Sequence, residues 1–117
     1  MKIRDIIAER ETVLSFEVFP PKTSDTFDSV KHATEEIAKL HPSFMSVTYG
    51  AAGTSAGYTT AIAENLLHCG VTPLAHLTCV CSDEEKIAQQ LAFLKQAGIE
   101  NILALRGDIP QGMEKME

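Results

Sequence analysis

The sequence is poor in cysteine, in basic residues and in long apolar runs, and each shortage excludes a class of protein. Three cysteines are an odd number, which favours a reducing cytoplasm over a disulfide framework. Ten basic residues stand against sixteen acidic ones, for a net charge of −6, so no nucleic-acid surface is expected. No apolar stretch approaches the roughly 20 residues of a membrane span. We therefore expect a cytoplasmic protein that binds neither nucleic acid nor membrane.

Cysteine spacing also argues against a metal site. Cys79 and Cys81 are separated by one residue and have no matching second pair, so the spacing of a zinc site is missing. We expect no metal and assign the cysteines to the core as small side chains.

What the sequence does contain is typical of one small globular domain. Its 117 residues are 44% hydrophobic and 22% charged, which is ordinary for a folded soluble domain. A chain of this length buries roughly two-thirds of its extended surface on folding, so a core can form.

Hydrophobic periodicity predicts helices and strands in strict alternation. Gly70 and Gly98 are expected to end helices, and His41-Pro42 to end an earlier one. The predicted elements are a helix over 3–10, a strand over 13–19, a helix from caps at 23–25 to Lys39, a strand over 44–49, a helix over 59–69, a strand over 74–80, a helix from the capping box at 82–85 to Ala97, and a strand over 102–105.

This order implies parallel neighbouring strands with right-handed crossovers. Two architectures fit this order: an open doubly wound sheet and part of a (β/α)8 barrel. No predicted strand is followed by a Gly-x-Gly-x-x-Gly turn, which argues against the doubly wound, dinucleotide-binding fold. The predicted strands have one apolar and one partly polar face, as in a barrel, whereas both faces of a doubly wound sheet meet helices. The polar face is assigned Ser15, Glu17, Ser46, Thr48, His76 and Thr78, with Arg106 just beyond, and the apolar face includes Leu103 and Leu105.

Four strands make only half of such a barrel, whose usual length is about 250 residues. We therefore expect residues 1–117 to be the N-terminal portion of a single (β/α)8 domain, apparently truncated. Alone, this portion would leave two strand edges unpaired.

Glu17 is the one carboxylate in the first predicted strand. An ionised carboxylate among apolar neighbours costs several kcal/mol or so unless it is paired or its pKa changes. Two interpretations follow: a salt-bridged structural glutamate, or a proton donor whose pKa is raised by the apolar setting of Phe16, Val18 and Phe19.

Four short segments, each at the end of a predicted strand, together resemble the signatures of the methylenetetrahydrofolate reductase family. They are Ser15–Thr23, Ser46–Ala51, His76–Cys79 and Leu105–Pro110. The resemblance implies a TIM-barrel flavoprotein that uses FAD and NADH or NADPH to reduce 5,10-methylenetetrahydrofolate to 5-methyltetrahydrofolate. It further implies a place in one-carbon metabolism and methionine biosynthesis, and a homo-oligomer in the full-length enzyme.

The resemblance also implies roles for individual residues. Glu17 would be the general acid that protonates the N10 side of the bridging ring, in agreement with the second interpretation above. Asp108 would lie near the flavin and the pterin, where its negative charge suits a cationic iminium. Thr48 matches a position linked to the nicotinamide nucleotide. The positions that match FAD contacts are Tyr49, Ala51, His76, Arg106, Gly107 and Asp108.

Three hypotheses follow for the chain itself. It is part of such a reductase, or a catalytically inactive half-barrel that folds or self-associates without binding flavin, or a related barrel for another pterin or flavin. We expect the 117 residues alone to be inactive, because later strands would supply much of the FAD and folate pockets. The remaining histidines, His32, His41 and His68, are expected at the surface.

Overall fold

A computed structural model of the chain describes residues 1–21, 24–49, 56–80 and 83–106. Helices and strands alternate through these ranges, as the periodicity predicts. The elements are α1 (Ile3–Glu9), β1 (Ser15–Val18), a 3-10 turn (Ser24–Thr26), α2 (Phe27–Ala38), β2 (Phe44–Val47), α3 (Ala56–His68), β3 (Pro73–Thr78), α4 (Glu84–Gln96) and β4 (Asn101–Leu105).

The strands form one parallel sheet in the order β1-β2-β3-β4. Each strand pairs with the next one along the chain, because the intervening helix carries the chain back to the start of the sheet. The prediction of sequential parallel strands is confirmed, and the four strands with their helices form an α/β half-barrel. The strands β1 and β2 are shorter than predicted, with four residues each.

One face of the sheet packs against the helices and carries the hydrophobic core. We call it the outer face. Met45, Val47 and Ala75 are fully buried on it, and Phe16 and Ile102 pack against them. The core cluster consists of Val18, Ala38, Met45, Val47, Ile62, Ala63, Leu66, Val71, Ala75, Leu94 and Ile99.

The opposite face, which we call the inner face, is defined by the strand register. Glu17 pairs with Ser46, and His76 pairs with Leu103. Because side chains alternate along a strand, residues in register share a face. The inner-face strand residues are Ser15, Glu17, Phe44, Ser46, Leu74, His76, Thr78, Asn101, Leu103 and Leu105.

This register corrects the prediction for the fourth strand. Leu103 and Leu105 were assigned to the apolar outer face, but they lie in register with His76 and Thr78 on the inner face. Their exposed fractions are 40% and 37%. The next residue, Arg106, follows the end of β4 and is exposed.

Helices end where backbone conformation requires it. Gly70 and Gly98 have φ of 82° and 87°, and His41, after α2, has φ of 55°. Glycine adopts this left-handed region without strain, so the predicted helix stops are confirmed. At the start of α4 the cap is Asp83, whose Oδ1 accepts the Lys86 N–H at 2.9 Å. The capping box was predicted to begin one residue earlier, at Ser82, which lies outside the described residues. Thr23, one of the caps predicted for α2, also lies outside them.

The first helix is tied to the last strand. Asn101 Oδ1 accepts the Ile3 N–H at 3.0 Å, and its Nδ2 donates to the Met1 carbonyl at 2.9 Å. Ile6 is buried but belongs to no part of the core cluster on the outer face. Since Asn101 begins β4 on the inner face, α1 lies at the end of the sheet opposite the strands' carboxyl ends. No helix in the described ranges is long and apolar enough to cross a membrane.

Replacing Asn101 by alanine should therefore loosen the N-terminal segment. Two hydrogen bonds that join residues nearly 100 positions apart are lost, and we expect the free energy of unfolding to fall by about 1–2 kcal/mol. Urea denaturation followed by circular dichroism measures this change. Glu100→Gln is the matched control, because Glu100 meets the N-terminal ammonium at 3.4 Å across an exposed surface. Such surface pairs contribute little, so the control should lose less than about 0.5 kcal/mol. Equal losses in both variants would contradict the assigned role of Asn101.

Candidate active site

The carboxyl ends of the four parallel strands gather the residues that the sequence singled out. Glu17 is the penultimate residue of β1, Thr48 and Tyr49 follow β2, His76 lies near the end of β3, and Arg106 follows β4. In a barrel, this edge is where side chains from different strands form a site. The remaining predicted site residues, Ala51, Gly107 and Asp108, lie outside the described residues.

Glu17 does not have the apolar surroundings that its sequence neighbours suggested. Its side chain is 50% exposed. Phe16 and Val18 belong to the outer face with the core, and Phe19, after the strand, is 69% exposed. Phe16 and Val18, at i±1 in the strand, point to the face opposite Glu17. The expectation that these three apolar side chains surround Glu17 is wrong.

Glu17 instead meets His76. The carboxyl Oε1 lies 3.7 Å from the imidazole Nε2, and the His76 side chain is only 10% exposed. The distance is longer than a hydrogen bond, and the contact is an ion pair only when the imidazole is protonated. Glu17 therefore has a partner, as the first interpretation expects, and its half-exposed carboxyl also remains open to a ligand.

Backbone contacts hold the end of β2 in place. The Thr48 N–H donates to the Val18 carbonyl at 3.0 Å, which extends the β1–β2 pairing by one residue. The Thr48 carbonyl accepts a hydrogen bond from the buried hydroxyl of Thr59 at 2.9 Å. Thr59 belongs to α3, so the helix fixes the position from which Thr48 and Tyr49 leave the strand. Sequence reasoning did not identify Thr59, because nothing in the local pattern indicates which carbonyl its hydroxyl reaches.

Tyr49 is half-buried beside Cys79, which follows β3. Burial raises the pKa of the Tyr49 phenol above its ordinary value of 10.0, and the nearby Cys79 thiol adds to the shift. Tyr49 therefore stays a neutral phenol across the physiological range and can donate a hydrogen bond at this edge.

The other cysteine and histidine predictions have mixed outcomes. Cys69 is exposed after α3 rather than in the core, and Cys79 is half-buried, so the prediction of small core residues is wrong for Cys69. Cys81 lies outside the described residues. The expected surface positions of His32, His41 and His68 are confirmed. Within the described ranges, no three histidine, cysteine or acidic side chains are placed to hold a metal ion.

Substituting Thr59 by valine should weaken the support beneath the site. The change keeps the shape but removes the hydroxyl donor to Thr48, with an expected loss of about 1–2 kcal/mol in the free energy of unfolding. Thermal or urea denaturation measures this loss, and amide NMR shifts at Thr48 and Tyr49 report the local change.

Thr34→Val is the control for that substitution. The Thr34 hydroxyl is also buried and donates to the Val30 carbonyl at 2.7 Å. Val30 is one helical turn earlier, so its carbonyl keeps the backbone partner of the helix, and the loss should stay within about 0.5 kcal/mol. A Thr34 variant as unstable as the Thr59 variant would contradict the special role of the Thr59 hydroxyl.

The chain is similar to known proteins along nearly its entire length. A family model described as methylenetetrahydrofolate reductase matches residues 2–117. A probable methylenetetrahydrofolate reductase (NADH) from Oryza sativa subsp. japonica is 40% identical over 97% of the chain. The methylenetetrahydrofolate reductase (NADH) 1 of Arabidopsis thaliana is 38% identical over the same share. The 5,10-methylenetetrahydrofolate reductase of Escherichia coli K12 is 34% identical over 89% of the chain.

The chain spans only a part of these relatives. It covers 19% of the length of each plant protein and 36% of the Escherichia coli protein. The similarity therefore covers nearly all of this chain but only a part of each relative.

Proposed function

Because the chain belongs to the methylenetetrahydrofolate reductase family, we propose that the protein containing it reduces 5,10-methylenetetrahydrofolate to 5-methyltetrahydrofolate. A nicotinamide nucleotide, NADH or NADPH, is the proposed reductant. The observation that carries this proposal is the family match over residues 2–117. In this proposal the protein is cytoplasmic and homo-oligomeric, and it serves one-carbon metabolism and methionine biosynthesis.

The same comparison supports a proposal about the domain. Residues 1–117 would form the N-terminal part of a single (β/α)8 barrel and would supply four of its eight strands. Two observations support this: the four parallel strands form a half-barrel, and the chain corresponds to only 19–36% of the length of its relatives.

FAD is the proposed cofactor, and the described residues at the carboxyl edge suit it. The inner face offers Leu103 and Leu105 as exposed apolar surface next to the polar His76 and Thr78. Cofactor sites typically combine apolar walls with a few polar groups in this way. The exposed Arg106 adds a fixed positive charge for a phosphate or an electron-rich ring. When bound, FAD supplies the means of passing a hydride from the nicotinamide nucleotide to the folate.

The proposed cofactor contacts follow the family positions. Tyr49 contributes a neutral phenol as a hydrogen-bond donor, and His76 contributes a buried imidazole. Thr48 is proposed to face the nicotinamide nucleotide. The full set proposed for FAD is Tyr49, Ala51, His76, Arg106, Gly107 and Asp108.

Glu17 is the proposed general acid. Its half-exposed carboxyl at the carboxyl edge is accessible to a bound substrate. We propose that it gives its proton to N10 of the bridging ring, so that the ring opens to the N5 iminium. Asp108 is proposed to remain ionised and to stabilise that cation. The two carboxyl groups would then have opposite protonation states, as acid and base pairs in such sites do.

Two measurements on the whole protein test this function. Absorbance of the purified protein in the visible range tests for bound flavin. Oxidation of NADH and of NADPH, each with and without 5,10-methylenetetrahydrofolate, tests the reaction and the choice of reductant. We expect a yellow protein whose folate-dependent turnover yields 5-methyltetrahydrofolate. A colourless protein without turnover would refute the proposal and would favour the alternative of an inactive half-barrel that folds or self-associates without flavin.

A further inference from the structure

The pair formed by Glu17 and His76 is strongly asymmetric. The imidazole of His76 is held in the sheet with 10% of its side chain exposed, whereas half of the Glu17 side chain is exposed. A glutamate has three rotatable side-chain bonds, and an exposed one samples many rotamers. The imidazole is therefore the fixed partner, and the carboxyl is the one that needs to be held.

The contact reaches across an intervening strand. Glu17 lies on β1 in register with Ser46 on β2, and Ser46 is in register with Leu74, two residues before His76 on β3. Neighbouring strands are about 4.8 Å apart and two residues span about 6.6 Å along a strand, so the two residues' backbones are about 12 Å apart. The two side chains meet across that distance at 3.7 Å, and the inner-face residue of β2 in register with Glu17 is a small serine. A long side chain at position 46 would crowd the path between them.

Among the strand residues of the described inner face, only Glu17 and His76 are titratable. On the β4 side His76 is flanked in register by Leu103, whose side chain has no polar atom to bind the imidazole. Of the titratable side chains on these strands, Glu17 is therefore the one that the His76 ring meets, at 3.7 Å.

We propose that His76 is a positioning residue for Glu17, whose carboxyl it holds at the edge of the sheet through the contact across Ser46. The consequence for catalysis rests on the proposed function of Glu17, but the contact itself does not. His76 then acts on the folate step through Glu17, in addition to any contact of its ring with a cofactor.

The contact can be tested by 15N NMR of the histidine side chains in the full 117-residue chain at one fixed pH. The 15N shifts of an imidazole report which nitrogen carries the proton. Glu17→Gln should shift the Nε2 resonance of His76 and leave those of His32, His41 and His68 in place. Ser46→Leu should shift the same resonance, because it separates two unaltered partners. Glu100→Gln, which removes a carboxylate at the opposite end of β4, is the control and should shift none.

The catalytic consequence is tested by a double-mutant cycle in the whole protein, read as the single-turnover rate of folate reduction. A misplacement of an acid by about 1 Å can cost about 100-fold, so His76→Gln should slow this rate by about 10- to 100-fold. In a Glu17→Gln background the same substitution should slow it by a clearly smaller factor than in the wild type, because the part of its effect that acts through Glu17 is already gone.

Each result has one meaning. An unchanged His76 spectrum in both Glu17→Gln and Ser46→Leu would overturn the positioning role, as would additive losses in the cycle. Additive losses would indicate that His76 serves only the cofactor or the fold. If Glu17→Gln alone left folate reduction at the wild-type rate, the acid role in the proposed function would fall. The NMR comparison would still decide whether His76 holds the carboxyl.

Discussion

A Glu17→Gln variant of the whole protein is expected to reduce 5,10-methylenetetrahydrofolate about 10²–10⁴ times more slowly than the wild type. Loss of a positioned general acid typically has an effect of this size. Glutamine keeps the length of the side chain and most of its hydrogen bonding, but it has no transferable proton. Because the Glu17 side chain is half exposed and lies outside the core, the substitution should leave the stability of the fold within about 0.5 kcal/mol.

The loss should be selective for the folate. Oxidation of NADH or NADPH with a generic quinone as electron acceptor needs no proton at N10, and its rate should stay within about tenfold of wild type. An interaction that exists only in one transition state affects only that step. Stopped-flow absorbance with each acceptor in turn separates the two activities.

Glu11→Gln serves as the control, since Glu11 is an exposed carboxylate a few residues before β1. It should change neither activity. Equal slowing of both reactions by Glu17→Gln would mean that Glu17 supports the structure or the cofactor, and its assignment as the acid would be wrong.

The order of the strands was predictable because it follows from local signals. Helical spacing, the glycines at 70 and 98 and the alternating strands each act within a few residues, and together they imply parallel neighbours. The element boundaries were less accurate, since the strand ends depend on hydrogen bonds to a neighbouring strand. Thr48, for example, pairs with Val18 but lies outside β2.

The faces of the strands were predictable only where polar and apolar residues alternate. In β1 the pattern Ser15-Phe16-Glu17-Val18 fixes both faces, and the register agrees with it. In β4 the residues from Ile102 to Leu105 are all apolar, so the sequence contains no information on which side each one faces. Pairing with β3 decides it, and pairing is a long-range property.

The sequence predicted which residues belong to the candidate site, but not how buried they are or which side chains they contact. The segments that end the strands identified Glu17 and His76, and the structure brings their side chains to 3.7 Å. The apolar burial of Glu17 was inferred from residues adjacent in sequence, which a strand turns to the other face. The partner of Glu17 comes from two strands away, across Ser46, and no local pattern could identify that contact.

The 117-residue chain by itself is expected to show no folate reduction above the uncatalysed background. In the described half-barrel Leu103 and Leu105 are exposed at 40% and 37%, and Glu17 is half exposed. A site that is open to water on this scale weakens every electrostatic interaction within it. FAD should bind weakly for a related reason, because one face of a half-barrel can bury only part of the cofactor.

Flavin absorbance after gel filtration in the presence of excess FAD measures retention, and NADH oxidation with the folate measures turnover. The whole protein, treated in the same way, is the positive control and should keep its flavin. Sedimentation of the short chain tests the alternative of self-association through its open inner face. Leu105→Asp would then favour the monomer, because a charge in an apolar interface is costly to desolvate. A flavin-loaded monomer of these 117 residues that turns over NADH with the folate would contradict the prediction, since half a barrel would then suffice to exclude water and orient both substrates.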